Sequence, residues 1–279
     1  MPGKTPRSRA VGARLRAARK RAGMSARQVA EVIGTSEVTV TRWETGERSP
    51  KLEDLANYLT IIGVQGSERE EIIELFRASD GPHWLSIGMP DLRQQLTALL
   101  ELERMATEIF DVTPNIVPGL LQTADYTRTI MRQGGAPAEK IETRVAIRIG
   151  RRDVLHAETL RLTTIVGEAA LRATVGGTRV MADQLRFLLK AAQWPSVDLR
   201  VIPLQVDWNP ATEGPFFLLR FPDSSPVVYL ENRLSGLFLH RPQDVAAYEQ
   251  AATKILDVTL SPADSLGFIS NQVTYLESL

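Results

Sequence analysis

The chain contains no cysteine and only three histidines, His83, His156 and His240. The first absence excludes disulfides, a thiol nucleophile and a cysteine-based zinc site. The second, with the three well separated, argues against a histidine-rich metal centre, and no cofactor is expected. Long apolar runs are missing too: none approaches the roughly 20 residues needed to span a bilayer. The N-terminus, MPGKTPRSRA, is basic but lacks the apolar stretch of a secretory signal. A cytoplasmic protein with no membrane partner is expected. Net charge is also absent, since 33 Lys and Arg balance 33 Asp and Glu. That zero conceals an asymmetry. Residues 1–50 carry 11 basic against 4 acidic side chains, a net of +7, and the remainder carries 22 against 29, a net of −7. A basic head on an acidic body is what attraction of one end to phosphate requires.

What is present suits a globular protein: 279 residues, 43% hydrophobic and 24% charged, enough for two domains. Residues 1–8 read as disordered, being Pro, Gly, Ser and charge. A first helix is expected from Ser8 to Ala22, with Val11, Leu15 and Ala18 on one face and Gly23 as its stop. Ser25 caps a second helix carrying Val29, Ala30 and Ile33, closed by Gly34. Thr35 or Ser36 caps a third through about Thr45, with Val40 and Trp43 inward. Ser49-Pro50 opens a fourth helix, with Leu55 and Leu59, and Ser67 with Glu70 forms a capping box for a fifth. Two short helices joined by a tight turn, with a small and polar face on the second, have the form of a helix-turn-helix that enters the DNA major groove.

Ser79-Asp80-Gly81-Pro82-His83 is the best domain boundary, dividing an all-α domain (1–80) from a larger one (81–279, core from about 92). Helical patterns cover Asp91–Phe110, Thr123–Met131 and Glu139–Leu155. Arg161–Val166 and Val197–Ile202 read as strands flanking a helix from Arg179 to Ala192. Phe216–Phe221 and Val227–Leu230 suggest a hairpin, Leu237–Leu239 a further short strand, and two helices close the chain at Pro242–Val258 and Pro262–Leu276. The fold class is α+β overall: a five-helix all-α domain, then a mixed α/β domain with one small sheet.

Gly23, Val29-Ala30, Gly34, Val40 and the run Arg42-Trp43-Glu44-Thr45-Gly46 resemble the XRE family of phage-repressor-like helix-turn-helix proteins, over residues 9–65. The resemblance implies base contacts from Glu37, Val38, Thr41 and Arg42, and phosphate contacts from Ser25, Ala26, Ser36 and Thr39. Arg42 suits guanine and Val38 a thymine methyl. Arg19 and Glu44 match a structural ion pair of such domains. From about Leu92 onward the chain resembles a domain of unknown function that actinobacteria fuse behind XRE domains. The motifs are Val117-Pro-Gly-Leu-Leu-Gln-Thr123 with Tyr126, Arg148, Arg151-Arg152, Glu168-Ala-Ala-Leu-Arg172, Val175-Gly-Gly177, Gln184-Leu185, Val201-Ile-Pro203, Gly214-Pro-Phe216, Val228-Tyr-Leu-Glu231, Ser261 and Ser265. The resemblance implies a regulator tied to developmental and antibiotic regulation, often found beside a small acidic partner protein.

Enzymatic chemistry finds little support. Glu168, Asp183 and Glu231 are available carboxylates, but no nucleophile–base pair is readable, and caps, turns and salt bridges account for them. Gly176-Gly177 lacks the spacing of a phosphate loop. Two features invite a binding role. Lys140, Arg144, Arg148, Arg151 and Arg152 fall at helical spacing as a basic stripe, suited to an acidic partner, an anionic ligand or flanking DNA. Among the aromatics Trp208, Phe216, Phe217, Tyr229 and Phe238, only Trp208 lies in a loop, Val-Asp-Trp-Asn-Pro, and it is the pocket or interface candidate. The expected protein is a sequence-specific DNA-binding transcriptional regulator, a repressor and not an enzyme. It is a homodimer on a palindromic operator in double-stranded DNA. Its larger domain dimerises and senses a small acidic protein or a small ligand. An antitoxin-like interaction module with secondary DNA binding is the alternative.

Overall fold

Thr5 starts the first helix of the computed structural model, which describes residues 5–77, 84–87, 89–157, 159–232 and 235–279. Its hydroxyl accepts from the Ser8 N–H at 3.1 Å, and Pro6 occupies the first helical position, where a missing N–H costs nothing. Helix α1 thus spans Pro6–Arg21, and residues 5–8 are ordered where composition alone suggested disorder. The cap explains the difference, as does Ser8 Oγ, which donates to Gly46 O at 3.0 Å. Residues 1–4 and the expected boundary at 79–83 lie outside the described residues.

Helices α2 (Ala26–Ile33), α3 (Glu37–Glu44), α4 (Leu52–Ile61), α5 (Gly66–Arg77) and α6 (Met89–Met105) follow. Helix α4 begins at Leu52 with Lys51 at the capping position, two residues later than the expected start at Pro50, and Asp54 Oδ2 accepts from the Lys51 N–H at 3.3 Å. Gly66 already belongs to α5, so Ser67 lies inside that helix and does not cap it. The chain divides into two compact units, Met1–Met105 with Tyr229–Arg241, and Ala106–Val228 with Pro242–Leu279. In the first unit α1 is central, packing against α3, α5 and α6. Its core holds Leu15, Val29, Val40, Leu55, Tyr58, Leu59, Ile72 and Leu102, all buried. Strands β1 (Trp84–Ile87) and β7 (Ser235–Leu239) pair antiparallel in this unit, Trp84 opposite Phe238.

The second unit is mixed α/β on one small sheet. Its strands are β2 (Glu108–Thr113), β3 (Arg161–Gly167), β4 (Val197–Ile202) and β5 (Phe216–Arg220), in the order β5-β2-β3-β4. β2, β3 and β4 are parallel, with Val112 opposite Ile165 and Ile165 opposite Arg200; β5 runs antiparallel to β2. β6 spans Val227–Glu231, its first two residues in this unit. The helices are α7 (Ala124–Gln133), α8 (Ala138–Gly150), α9 (Glu168–Arg172), α10 (Thr178–Ala191), α11 (Pro242–Asp257) and α12 (Pro262–Glu277). Ile109 and Phe110 belong to β2, not to the preceding helix as the sequence suggested. Their spacing from Leu102 fits a helical face, but Ile-Phe-Asp-Val-Thr is a β-branched and aromatic run that forms two ladders once neighbours are present. After α8 the backbone tightens to a 3₁₀ turn, Arg151–His156, where one continuous helix was expected.

Two of the sequence motifs have structural employment here. β4 has one edge away from β3, and that edge is covered: Leu260 N–H donates to Val201 O at 2.9 Å, and Ser265 Oγ accepts from Val201 N–H at 3.0 Å. Ser261 caps α12, accepting from the Asp264 N–H at 3.1 Å. An unpaired edge strand invites pairing with another chain, and α12 prevents it. The loop Val117–Thr123 is held from within. Gln122 Nε2 donates to Val117 O at 2.7 Å, and the Val117 N–H donates to Tyr126 Oη at 3.2 Å. Gln184, fully buried on α10, accepts from Thr123 N–H at 2.7 Å and donates to Leu121 O at 2.8 Å. These bonds satisfy the loop's buried backbone groups.

Candidate nucleic-acid interface

The turn between α2 and α3 is short because both ends are capped. Gly34 takes φ +79°, a left-handed conformation open to glycine, and its N–H returns to Ala30 O. Ser36 then starts α3, its hydroxyl accepting from the Thr39 N–H at 3.1 Å and lying 2.9 Å from Thr39 Oγ1. At the start of α2, Ser25 and Gln28 form a reciprocal capping box, 3.1 and 2.8 Å. Val29, Ala30, Val40 and Trp43 face the core, so the opposite side of α3 faces solvent. There Glu37, Val38, Thr41 and Arg42 share one exposed surface, a shallow concavity of about 350 Å³ completed by Thr45 and Glu47. Val38 is 59% exposed, which nothing in the first unit's packing requires. Ser25 and Ser36 are exposed, and Ala26 and Thr39 half-buried, at the two helix starts, where free N–H groups favour anions.

The orientation of α3 is set from behind. Arg19 on α1 binds both oxygens of Glu44, at 2.6 and 2.7 Å, and also donates to Met24 O at 2.8 Å. Tyr58 on α4 donates to Glu44 Oε1 at 2.5 Å. The hydrogen bond that Arg19 donates to Glu44 raises the Arg19 pKa above its ordinary value, and burial raises that of Tyr58, with its own bond to Glu44 adding to it. One carboxylate therefore joins α1, α3 and α4. Gly12 allows the close approach this needs: a Cβ there would lie 2.5 Å from the carbonyl oxygens of Trp43 and Glu44. Neither Tyr58 nor Gly12 was singled out by motif reading. A glycine amid the helical pattern Val11–Ala18 was the available signal.

The basic residues of the second unit divide into two groups. Lys140 is exposed and Arg144 half-buried on α8. Arg148, Arg151 and Arg152 turn to the Val117–Thr123 loop. Arg151 is buried, and a Cβ on Gly119 would lie 2.6 Å from Arg148 Nη1 and 3.7 Å from Arg151 Nη1. Arg152 donates to Gln122 O and stacks over Phe187 at 4.1 Å, burial lowering its pKa. Phe216, Phe217, Tyr229 and Phe238 are buried, whereas Trp208 is 65% exposed. Glu168 accepts from Leu204 N–H at 2.9 Å and pairs with Arg172 at 2.6 Å; Asp183 pairs with Arg186 at 2.6 Å. Gly176 and Gly177 take positive φ before α10, and the His156 ring lies 5.4 Å from that of Trp194. Among the described residues no cluster of His, Asp and Glu could hold a metal ion, and no helix is long and apolar enough to cross a membrane.

Residues 96–271, more than half of the chain, match the family described as Domain of unknown function (DUF5753). The chain belongs to that family. Ahead of the DUF5753 region, residues 10–72 match a helix-turn-helix domain, so the concave face of α3 belongs to a fold associated with DNA binding and transcription regulation. That architecture favours a regulator over an enzyme. No curated protein and no solved structure gives a significant match.

Proposed function

We propose that this protein is a sequence-specific DNA-binding transcriptional regulator, a repressor of the XRE type. Its reading head lies within residues 1–80, and residues 81–279 form a sensing and dimerising part. The observation that carries the reading is the contrast between the two sides of α3. One side is fixed by a buried Arg19–Glu44–Tyr58 cluster, and the other presents Glu37, Val38, Thr41 and Arg42 to solvent. Arg42 pairs bidentately with guanine, Val38 meets a thymine methyl, and Glu37 accepts from cytosine N4. Ser25, Ala26, Ser36 and Thr39 set the register on phosphates. The excess of basic residues in 1–50 supplies the long-range attraction.

One such head reads only a half-site, so the active form is a cytoplasmic homodimer on a palindromic operator. The exposed Lys140 of α8, with the half-buried Arg144 one turn further on, supports contact with a small acidic protein or an anionic ligand that changes the availability of the heads. Selection of bound duplexes from a random pool by the full chain at moderate salt tests the reading. Enrichment of one inverted repeat is expected; a pool that stays random contradicts it.

A further inference from the structure

The loop between β4 and β5 presents two large apolar side chains to water, Leu204 at 60% and Trp208 at 65% exposure. A single exposed leucine is ordinary, but a tryptophan left in solvent forfeits the burial of roughly 150–250 Å². This loop is not a frayed segment. Leu204 N–H is held by Glu168, and Asp207 Oδ1 accepts from the Trp208 N–H at 2.7 Å. Buried Asn209 donates to Asp207 O at 3.2 Å and accepts from Ala211 N–H at 3.2 Å, and Thr212 Oγ1 donates to Asn209 O at 2.8 Å. The turn therefore fixes the backbone that presents Trp208, so that docking has only the side chain left to order.

The loop itself carries one sign of charge. Residues 203–215 contain two carboxylates, Asp207 and Glu213, both exposed, and no Lys or Arg. On α11, which packs against the 3₁₀ turn Pro210–Glu213, stand Asp244 and Glu249, the latter shared with Arg220 at 3.5 Å. The negative potential is felt locally: Tyr248 is pushed up by burial first and then by Glu213 and Asp244. An exposed indole in a loop whose own charges are both carboxylates suits a cation, which gains from the ring quadrupole and from the charges together.

We propose that the Leu204–Trp208 loop docks a partner protein presenting an arginine- or lysine-rich segment. A cationic side chain lies on the Trp208 ring, and Asp207 and Glu213 supply the counter-charge. The surface is distinct from the basic residues of α8, has the opposite sign, and does not depend on the DNA-binding reading.

Fluorescence anisotropy of a labelled nona-arginine peptide with the full chain at 150 mM salt tests it, with nona-glutamate as control. Nona-arginine is expected to bind and nona-glutamate not. Trp208→Ala weakens binding about tenfold at an unchanged melting temperature, Trp208→Phe by less, and Asp207→Asn with Glu213→Gln weakens it and flattens its salt dependence. Equal affinity of wild type and Trp208→Ala overturns the proposal, as does a wild-type chain that does not bind. Sedimentation supplies a further arm. A dimer that becomes a monomer on Trp208→Ala assigns the surface to a second copy and overturns it as well.

Discussion

The Arg19 guanidinium grips both carboxylate oxygens of Glu44, at 2.6 and 2.7 Å, with only 4% of the Glu44 side chain exposed. Breaking such a pair from one side strands a buried charge, at a cost of roughly 3–5 kcal/mol. Arg19→Met should therefore lower stability by about that amount, read as a fall in urea midpoint. Arg19→Met combined with Glu44→Leu should recover part of the loss, which a double-mutant cycle measures.

Tyr58 adds a pH dependence. Its folded-state pKa lies above the unfolded value of about 10, so the folded chain keeps a proton that the unfolded chain releases. The stabilisation is complete below about pH 10 and is lost as pH rises beyond it. Arg9, whose burial lowers its pKa to about 10, acts in the opposite direction. That contribution is common to wild type and Tyr58→Phe, so the difference between their stabilities from pH 8 to 11.5 isolates Tyr58. Wild type should lose its advantage over the variant above pH 10.

Gly12 and Gly267 make opposite predictions for the same substitution. Gly12→Ala places a Cβ 2.5 Å from two backbone carbonyls and must push α1 off α3, costing about 1–3 kcal/mol. Gly267→Ala, inside α12 with open space around it, gains roughly 0.5–1 kcal/mol from helix propensity. Thermal unfolding of both variants checks the sign of each.

Gln184→Ala removes the partner of Thr123 N–H and Leu121 O at once, in a fully buried setting. A loss of roughly 2–4 kcal/mol is expected, and hydrogen exchange at the Thr123 amide should rise above the rate set by global opening.

How much of this was legible in the sequence depends on how local each signal is. The caps Ser25 and Ser36 and the left-handed Gly34 act within three or four residues, so the spans of α2 and α3 could be read directly. β2 could not. Its identity depends on β3 and β5, more than 45 residues downstream, whereas the adjoining helical rhythm is local. The basic stripe read from Lys140 to Arg152 assumed one continuous helix. The change to 3₁₀ geometry at Arg151 sends its last members to the Gly119 loop. Tyr58 completes the Glu44 cluster from a different helix, 14 positions away, and no spacing rule reaches that far.

The central claim, that the exposed face of α3 reads base sequence, is tested most directly by the discrimination ratio between a selected duplex and its scrambled counterpart at fixed salt. Arg42→Ala should collapse that ratio by about 10- to 100-fold, whereas Ser36→Ala should weaken binding to both duplexes equally. An Arg42→Ala protein that keeps the wild-type ratio would contradict the account.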